Sequence, residues 1–268
     1  MLLDWPTTEL VSEDTLAGLA ARRHQVLIER LQTVGTATVE ELADHVGVTP
    51  QTIRKDLNYL SDQQLLSRVR GGALLKNGLD NLAYASRQSI ASEAKERIGE
   101  AAAQLIPDNV SVFINIGTTT EAVARHLRHR QRLMVVTNNL NVADILANDV
   151  DVIVAGGKVR ASDRAVVGAM AVDFIRSFKV DYAVIGTSAL DEAGDLLDFD
   201  IDEIKVSQTI IDNARQVILV SDASKVGRLA PARIASMADI DVFVTDEMDN
   251  EALMASCERH NVRVVITG

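Results

Sequence analysis

Thr49-Pro50-Gln51-Thr52-Ile53-Arg54-Lys55-Asp56-Leu57 is the stretch that decides how the first part of this chain is read. Thr49 is placed to cap a helix, and Pro50 takes the first helical position, where a missing N–H costs nothing. Ile53, Leu57 and Leu60 stand at i, i+4 and i+7, so one face packs inward. That rotation turns Gln51, Arg54, Lys55 and Asn58 outward. Upstream, Thr38-Val39-Glu40-Glu41 has the form of a capping box, opening a short helix with Val39, Leu42, Ala43 and Val46 apolar. Gly47 ends it, so two helices meet across a tight Gly-Val-Thr turn. Downstream, residues 65–69 and 73–75 flank Arg70-Gly71-Gly72, a hairpin whose glycines accept positive φ. An earlier helix over about 15–34 follows from Leu16, Leu19, Ala20, Leu27, Leu31 and Val34, with Gly35 as its stop. Helix, turn, helix and basic hairpin make a winged helix.

The charge balance supports that reading once it is taken locally. The 268 residues carry a net charge of −11, which by itself argues against nucleic acid. Residues 1–19 hold four acids and no base, residues 20–76 eight Lys/Arg against six Asp/Glu, and residues 77–268 nineteen against twenty-eight. Within 49–76 there are five bases and two acids, so the positive charge sits on the helix and hairpin. A recognition helix presents its N-terminal turns to major-groove base edges. Gln51 suits adenine and Arg54 guanine, while Thr49, Thr52, Lys55 and Asn58 fall on the same face; Thr52 and Lys55 suit phosphates or a thymine methyl. Arg68 and Arg70 on the hairpin suit phosphate or minor-groove contact.

Composition excludes several other classes. At 47% hydrophobic residues and 4 prolines the chain is not disordered, and at 3% aromatics its core must be aliphatic. The opening residues lack a basic region followed by an apolar run, so no signal peptide is expected, and no stretch is apolar enough to span a membrane. Cys257, the single cysteine, makes no internal disulfide and reads as buried filler rather than a nucleophile. A cytoplasmic protein is expected, without cofactor, metal or catalytic residue.

Residues 77–91 lose periodicity and read as a linker. Beyond them, apolar runs at 112–116, 133–137, 151–155, 182–186, 217–221, 242–245 and 264–267 alternate with helix-length segments at 92–106, 119–127, 142–147, 202–213 and 250–260. Continuous aliphatic strands alternating with helices predict a mostly parallel sheet covered on both faces. The expected domains are an extension over 1–19, a winged helix over 20–76, the linker, and an α/β domain over 92–268.

The run 48–57 together with Arg68-Val69-Arg70-Gly71-Gly72-Ala73 closely resembles the DNA-binding signature of the DeoR family of bacterial transcriptional repressors. The resemblance implies a winged helix joined to a sugar-phosphate-sensing domain, and covers nearly everything after about residue 20.

Three loops at strand ends stand where open parallel sheets bind ligands. Gly117-Thr118-Thr119-Thr120 offers close backbone approach and a helix N-terminus for phosphate, and lacks the lysine-bearing pattern of a nucleotide loop. Plain helix capping is an equal reading of it. Thr137-Asn138-Asn139-Leu140-Asn141 offers donors and acceptors for hydroxyls, or Asx-turns. Gly156-Gly157-Lys158-Val159-Arg160 with Asp163, and Ser221-Asp222-Ala223-Ser224-Lys225, supply Arg160 and Lys225 against a phosphate; taken alone, both read as surface charge.

These loops, with Ile185-Gly186-Thr187-Ser188 and Leu197-Asp198-Phe199-Asp200, resemble the family's effector domain, and most resemble its glycerol-3-phosphate branch. The resemblance implies an effector site of Gly117, Thr118, Thr119, Thr120, Asn138, Asn139, Gly156, Gly157, Arg160, Asp200 and Lys225. It implies operator double-stranded DNA and a small phosphorylated polyol or sugar as partners, and a homo-oligomer, dimer or tetramer. The same domain is similar to ribose-5-phosphate isomerase, so the rival reading is an isomerase-like enzyme carrying a vestigial helical domain. Counting back from Asp222, that enzyme's catalytic glutamate falls near Ser207, which cannot move the proton; Glu203 lies one turn earlier and serves only if the helix shifts. A winged helix used only for protein contacts is disfavoured by the outward Gln51, Arg54 and Lys55.

Overall fold

Capping and periodicity place the helices of the first unit. The computed structural model describes residues 20, 23, 24, 26–28, 30, 31, 36–62, 66–69, 71–75 and 84–268, and the chain divides into units Met1–Ala83 and Tyr84–Gly268. Thr38 forms its capping box: Thr38 N donates to Glu41 Oε2 at 2.8 Å, and Glu41 N donates to Thr38 Oγ1 at 3.2 Å. The Val39–Val46 helix ends at Gly47 with φ 76°, a left-handed cap that favours glycine. Thr49 Oγ1 accepts from the Thr52 amide at 3.2 Å and opens the Pro50–Asp62 helix. Ile53, Leu57 and Leu60 are buried with Leu27, Ile28, Leu31, Leu42 and Val46, each Leu or Ile adding about 1.5–3 kcal/mol by leaving water. Residues 20, 23, 24, 26–28, 30 and 31 are helical where a first helix is expected; the rest of that helix, the 1–19 extension and Arg70 lie outside the described residues.

Strands Leu66–Val69 and Gly72–Leu75 form the hairpin, and a third strand the sequence did not announce, Thr36–Thr38, pairs with Gly72–Leu75. The two hairpin glycines are needed for different reasons. Gly71 turns at φ 85°, whereas a Cβ on Gly72 would stand 2.2 Å from the Ala37 carbonyl oxygen of the added strand.

In the second unit all seven anticipated strands form one parallel sheet, in the order Arg263–Ile266, Val242–Thr245, Ala214–Val220, Val180–Ile185, Ser111–Ile114, Met134–Thr137, Asp151–Val154. Alternate residues serve opposite faces. Val112 and Ile114 pack with Ile98, Val123 and Leu127, while Phe113 packs with Ile175, Ile210 and Leu253. Cys257 is buried in the second of these layers. The chain runs outward from Ser111–Ile114 through two strands, then returns to Val180–Ile185 and runs the other way. The topological switch point therefore lies between these two strands.

Three features differ from expectation. The Tyr84–Ser89 helix occupies the latter part of the stretch read as linker, and the Ala169–Ile175 helix was not foreseen. Short antiparallel strands, Lys158–Arg160 with Ala165–Val167 and Ala189–Leu190 with Asp195–Asp198 and Ala232–Ser236, sit beside the main sheet. At two to five residues, their alternation is too brief to register as a pattern. Among the described residues no helix is long and apolar enough to cross a membrane.

Candidate functional site

Thr49, Gln51, Arg54, Lys55 and Asn58 are exposed on the Pro50–Asp62 helix, and Thr52 is half-buried. Arg54 makes one exposed contact, to Glu40 at 3.3 Å, weak enough to be exchanged for another partner. Asp56, on the same helix, is buried: Arg23 Nε and Nη2 donate to it at 2.5 and 2.8 Å, and His24 Nε2 lies at 2.9 Å. Arg68 lies in the Leu66–Val69 strand.

The second site is a cleft at the C-terminal ends of the strands flanking the switch point. Gly117, Thr118, Thr119 and Thr120 reach it from Ser111–Ile114, Thr187 and Ser188 from Val180–Ile185, and Lys225 from the turn after Ala214–Val220. Arg87, Asp198 and Glu203 complete it. Gly117 has φ 144°, which glycine alone adopts readily, and it leads into the ten-residue Thr118–Leu127 helix, whose first amides have no partner within the helix. The three threonines differ. Thr120 Oγ1 donates to the carbonyls of Asn115 and Gly117 at 2.9 and 2.8 Å, so its hydroxyl holds the loop instead of offering a proton to a ligand.

Two titratable groups in the cleft are strongly perturbed. Burial, reinforced by Arg228, pushes the Lys225 ammonium down to about 7; Asp222 opposes this, and Arg87 and Lys95 add to it. Burial and the neighbouring Asp198 push the Glu203 carboxyl up to about 8 despite Arg160. The cleft is thus lined by two basic side chains, Lys225 and Arg87, and two acidic ones, Asp198 and Glu203.

The remaining anticipated residues do not themselves line the cleft. Arg160 is engaged by carboxylates: it holds Asp163 at 2.9 and 2.7 Å, Asp200 at 2.5 Å and Glu203 at 2.6 Å. Asp200 also caps the Ile201–Asp212 helix, accepting from the Asp202 and Glu203 amides. Asn139 Oδ1 accepts from the Asn141 amide at 2.9 Å and its Nδ2 donates to Glu121 at 3.1 Å, so the Asx-turn reading describes it. Asn138 is buried and donates to the Val166 carbonyl at 3.1 Å. Gly156 and Gly157 are exposed in the loop after Asp151–Val154.

Sequence reasoning missed Arg87, which stands in a stretch without periodicity. Ser188 and Asp198 fell within recognised motifs but were not singled out, and Glu203 was weighed only as a displaced catalytic base.

Residues 23–77 match the DeoR-like helix-turn-helix domain and residues 90–247 the DeoR C-terminal sensor domain. The glycerol-3-phosphate regulon repressor of Escherichia coli (strain K12) is 40% identical over 245 residues, covering 91% of this chain and 97% of that protein. The protein of the same description from Haemophilus influenzae is 40% identical over 228 residues, 84% of this chain and 89% of that one. Among solved structures, ribose 5-phosphate isomerase A from Methanocaldococcus jannaschii shares 14% identity at a TM-score of 0.39, over 51% of this chain and 55% of that one.

Proposed function

Since the chain belongs to the DeoR family of helix-turn-helix transcriptional repressors, we propose that a small phosphorylated polyol, glycerol 3-phosphate foremost, releases it from its operator. The observation that carries this is the mixed lining of the cleft. Loop amides, the Thr118 and Thr119 hydroxyls and Lys225 suit a phosphate dianion, while Ser188, Asp198 and Glu203 suit hydroxyls. The relatives' description selects glycerol 3-phosphate from other ligands of that chemistry.

On DNA, Gln51 and Arg54 read base edges, and Thr49, Thr52, Lys55, Asn58 and the hairpin's Arg68 and Arg70 hold the backbone or the minor groove. One reading head per chain means that useful specificity requires at least a dimer on repeated half-sites. Release requires that the effector bind better to a state that grips DNA poorly, and a coupling of about 1–3 kcal/mol changes operator affinity about 5–150-fold.

Selection of binding sites from random double-stranded DNA identifies an operator, and fluorescence anisotropy then follows release as glycerol 3-phosphate is added. Wild-type protein is expected to let go. Lys225→Ala is expected to bind operator yet need about tenfold more effector or greater, the behaviour of a super-repressor. Release of the variant at the wild-type concentration removes Lys225 from the site. A wild type that holds its operator against every phosphorylated polyol overturns the effector reading.

The rival isomerase reading is favoured by one observation, that Glu203 faces the cleft without any shift of its helix. Its carboxylate, however, already binds Arg160 at 2.6 Å.

A further inference from the structure

The Tyr84–Ser89 helix is the first described element after the DNA-binding hairpin, which ends at Leu75; residues 76–83 separate them in the chain. Its backbone and its first residue are held firmly. Tyr84 Oη donates to Glu121 at 2.6 Å, and Gln88 donates to Tyr84 Oη at 2.8 Å. Lys95, buried, donates to the carbonyls of Arg87 and Ile90. The Arg87 guanidinium is held more loosely. Its ion pair is a long one, Nη2 to Asp163 at 3.3 Å, and Asp163 already accepts two shorter bonds from Arg160. Arg87 Nε is buried without a hydrogen-bond partner among the described residues, an arrangement that costs free energy until an acceptor arrives. The same side chain lines the cleft beside Gly117, Thr118, Thr119 and Lys225, and Thr118 Oγ1 lies 3.4 Å from the Arg87 carbonyl.

We propose that Arg87 is a phosphate ligand of the cleft and that effector binding acts on the DNA-binding head through the helix that carries it. The inference rests on the cleft being the effector site. A dianion on the 117–119 amides offers the guanidinium fork a bidentate partner better than its one long ion pair and its place 5.9 Å over the Tyr84 ring, and Asp163 loses little because Arg160 remains on it. Empty and liganded cleft therefore differ in what Arg87 holds. The change falls on the element through which the chain enters the sensing unit, and it supplies the differential affinity that release demands. Lys225 contributes charge to the same phosphate but stands much later in the chain, in the turn after Ala214–Val220.

Full-length wild type, Arg87→Ala and Arg87→Lys are compared with glycerol 3-phosphate as the probe. Calorimetry measures its affinity. Anisotropy measures, for each variant, the ratio of operator affinities without and with saturating probe. Hydrogen exchange follows the amides of residues 84–89. Arg87→Ala is expected to bind glycerol 3-phosphate about tenfold more weakly or worse. At saturation its operator ratio falls towards one, and the exchange change seen in wild type at 84–89 is lost. Arg87→Lys keeps the charge without the fork, and recovers affinity more than release. Wild-type affinity in Arg87→Ala overturns the ligand assignment, and a wild-type operator ratio at saturation overturns the transmission. If Arg87→Ala does not fold, as judged by its melting, Arg87→Lys decides: a wild-type ratio and exchange change in it overturn the proposal. A wild type that binds neither glycerol 3-phosphate nor inorganic phosphate overturns the cleft reading and this one with it, an outcome distinct from a wild-type response preserved in the variants.

Discussion

Lys225 is placed so that its proton reports on the cleft. Its ammonium, pushed down to about 7 by burial and by Arg228, with Arg87 and Lys95 adding and Asp222 opposing, is charged on the acid side and loses its proton above neutrality. A bound phosphate favours the charged form and raises that value again. Below about 7 the lysine holds its proton in both states; above it, binding takes a proton up, so affinity falls as pH rises, at most about tenfold per pH unit. On the acid side the phosphate's own second ionisation, near about 6, removes charge from the ligand. Affinity for glycerol 3-phosphate is therefore expected to peak near neutrality. Calorimetry near about pH 8 in buffers of different ionisation enthalpy is expected to show net proton uptake, reduced in Lys225→Ala. Glu203, pushed up to about 8, gains negative charge in the same range and accounts for what decline remains in the variant. An affinity flat from neutral to alkaline pH counts against Lys225 as the counter-charge.

At the scale of elements, the recognition helix depends on a tie its own outward face does not show. Asp56 sits between Lys55 and Leu57 but points inward, where Arg23 and His24 hold it; His24 also stacks on Tyr59 at 4.9 Å. Burial alone would raise the Asp56 carboxyl, but its hydrogen bonds to Arg23 and His24 hold it below the ordinary range. A depressed carboxylate contributes stability that is complete above its unfolded value, about 3.9, and is lost as pH falls through the folded one. Asp56→Ala leaves the half-buried Arg23 without its partner, which costs about 1–3 kcal/mol. Differential scanning calorimetry of the full chain is expected to show the first unit melting earlier, and operator affinity should weaken alike for every sequence. An unchanged melting transition would show that the tie contributes nothing to the head's stability.

Across the whole molecule, the order of the parallel strands decides which loops meet. Loops after Ser111–Ile114 and Val180–Ile185 diverge at the switch point and open the cleft, and the neighbouring Ala214–Val220 adds Lys225. The same arrangement bears on catalysis. Ser207, where counting back along the sequence from Asp222 puts an isomerase's base, is buried and accepts from Asn115 Nδ2 at 3.3 Å, while Asn115 Oδ1 accepts from the Gly186 amide at 3.1 Å. Asn115 thereby ties the two diverging loops together, and the Ser207 hydroxyl it holds offers no general base. Incubation with ribose 5-phosphate is expected to give no isomer above the uncatalysed rate. Turnover that Glu203→Gln abolishes would make the rival reading correct.

What the sequence determined by itself is local in origin. A hydroxyl at Thr38 meets an amide three residues on, Pro50 suits a helix start, and aliphatic runs alternate with helical periods; each depends on neighbours within a few residues. The two helices of the head, its hairpin, the seven strands and the Gly117 loop were therefore legible. Tertiary structure decided which distant groups share a space. Arg87, Ser188, Asp198 and Glu203 join Thr119 and Lys225 only because strand order brings their loops together. Arg160, an anion ligand by residue type, is taken by three carboxylates at positions 163, 200 and 203. A guanidinium goes to whichever acceptor lies nearest in a dry environment, and that distance is a property of the folded chain.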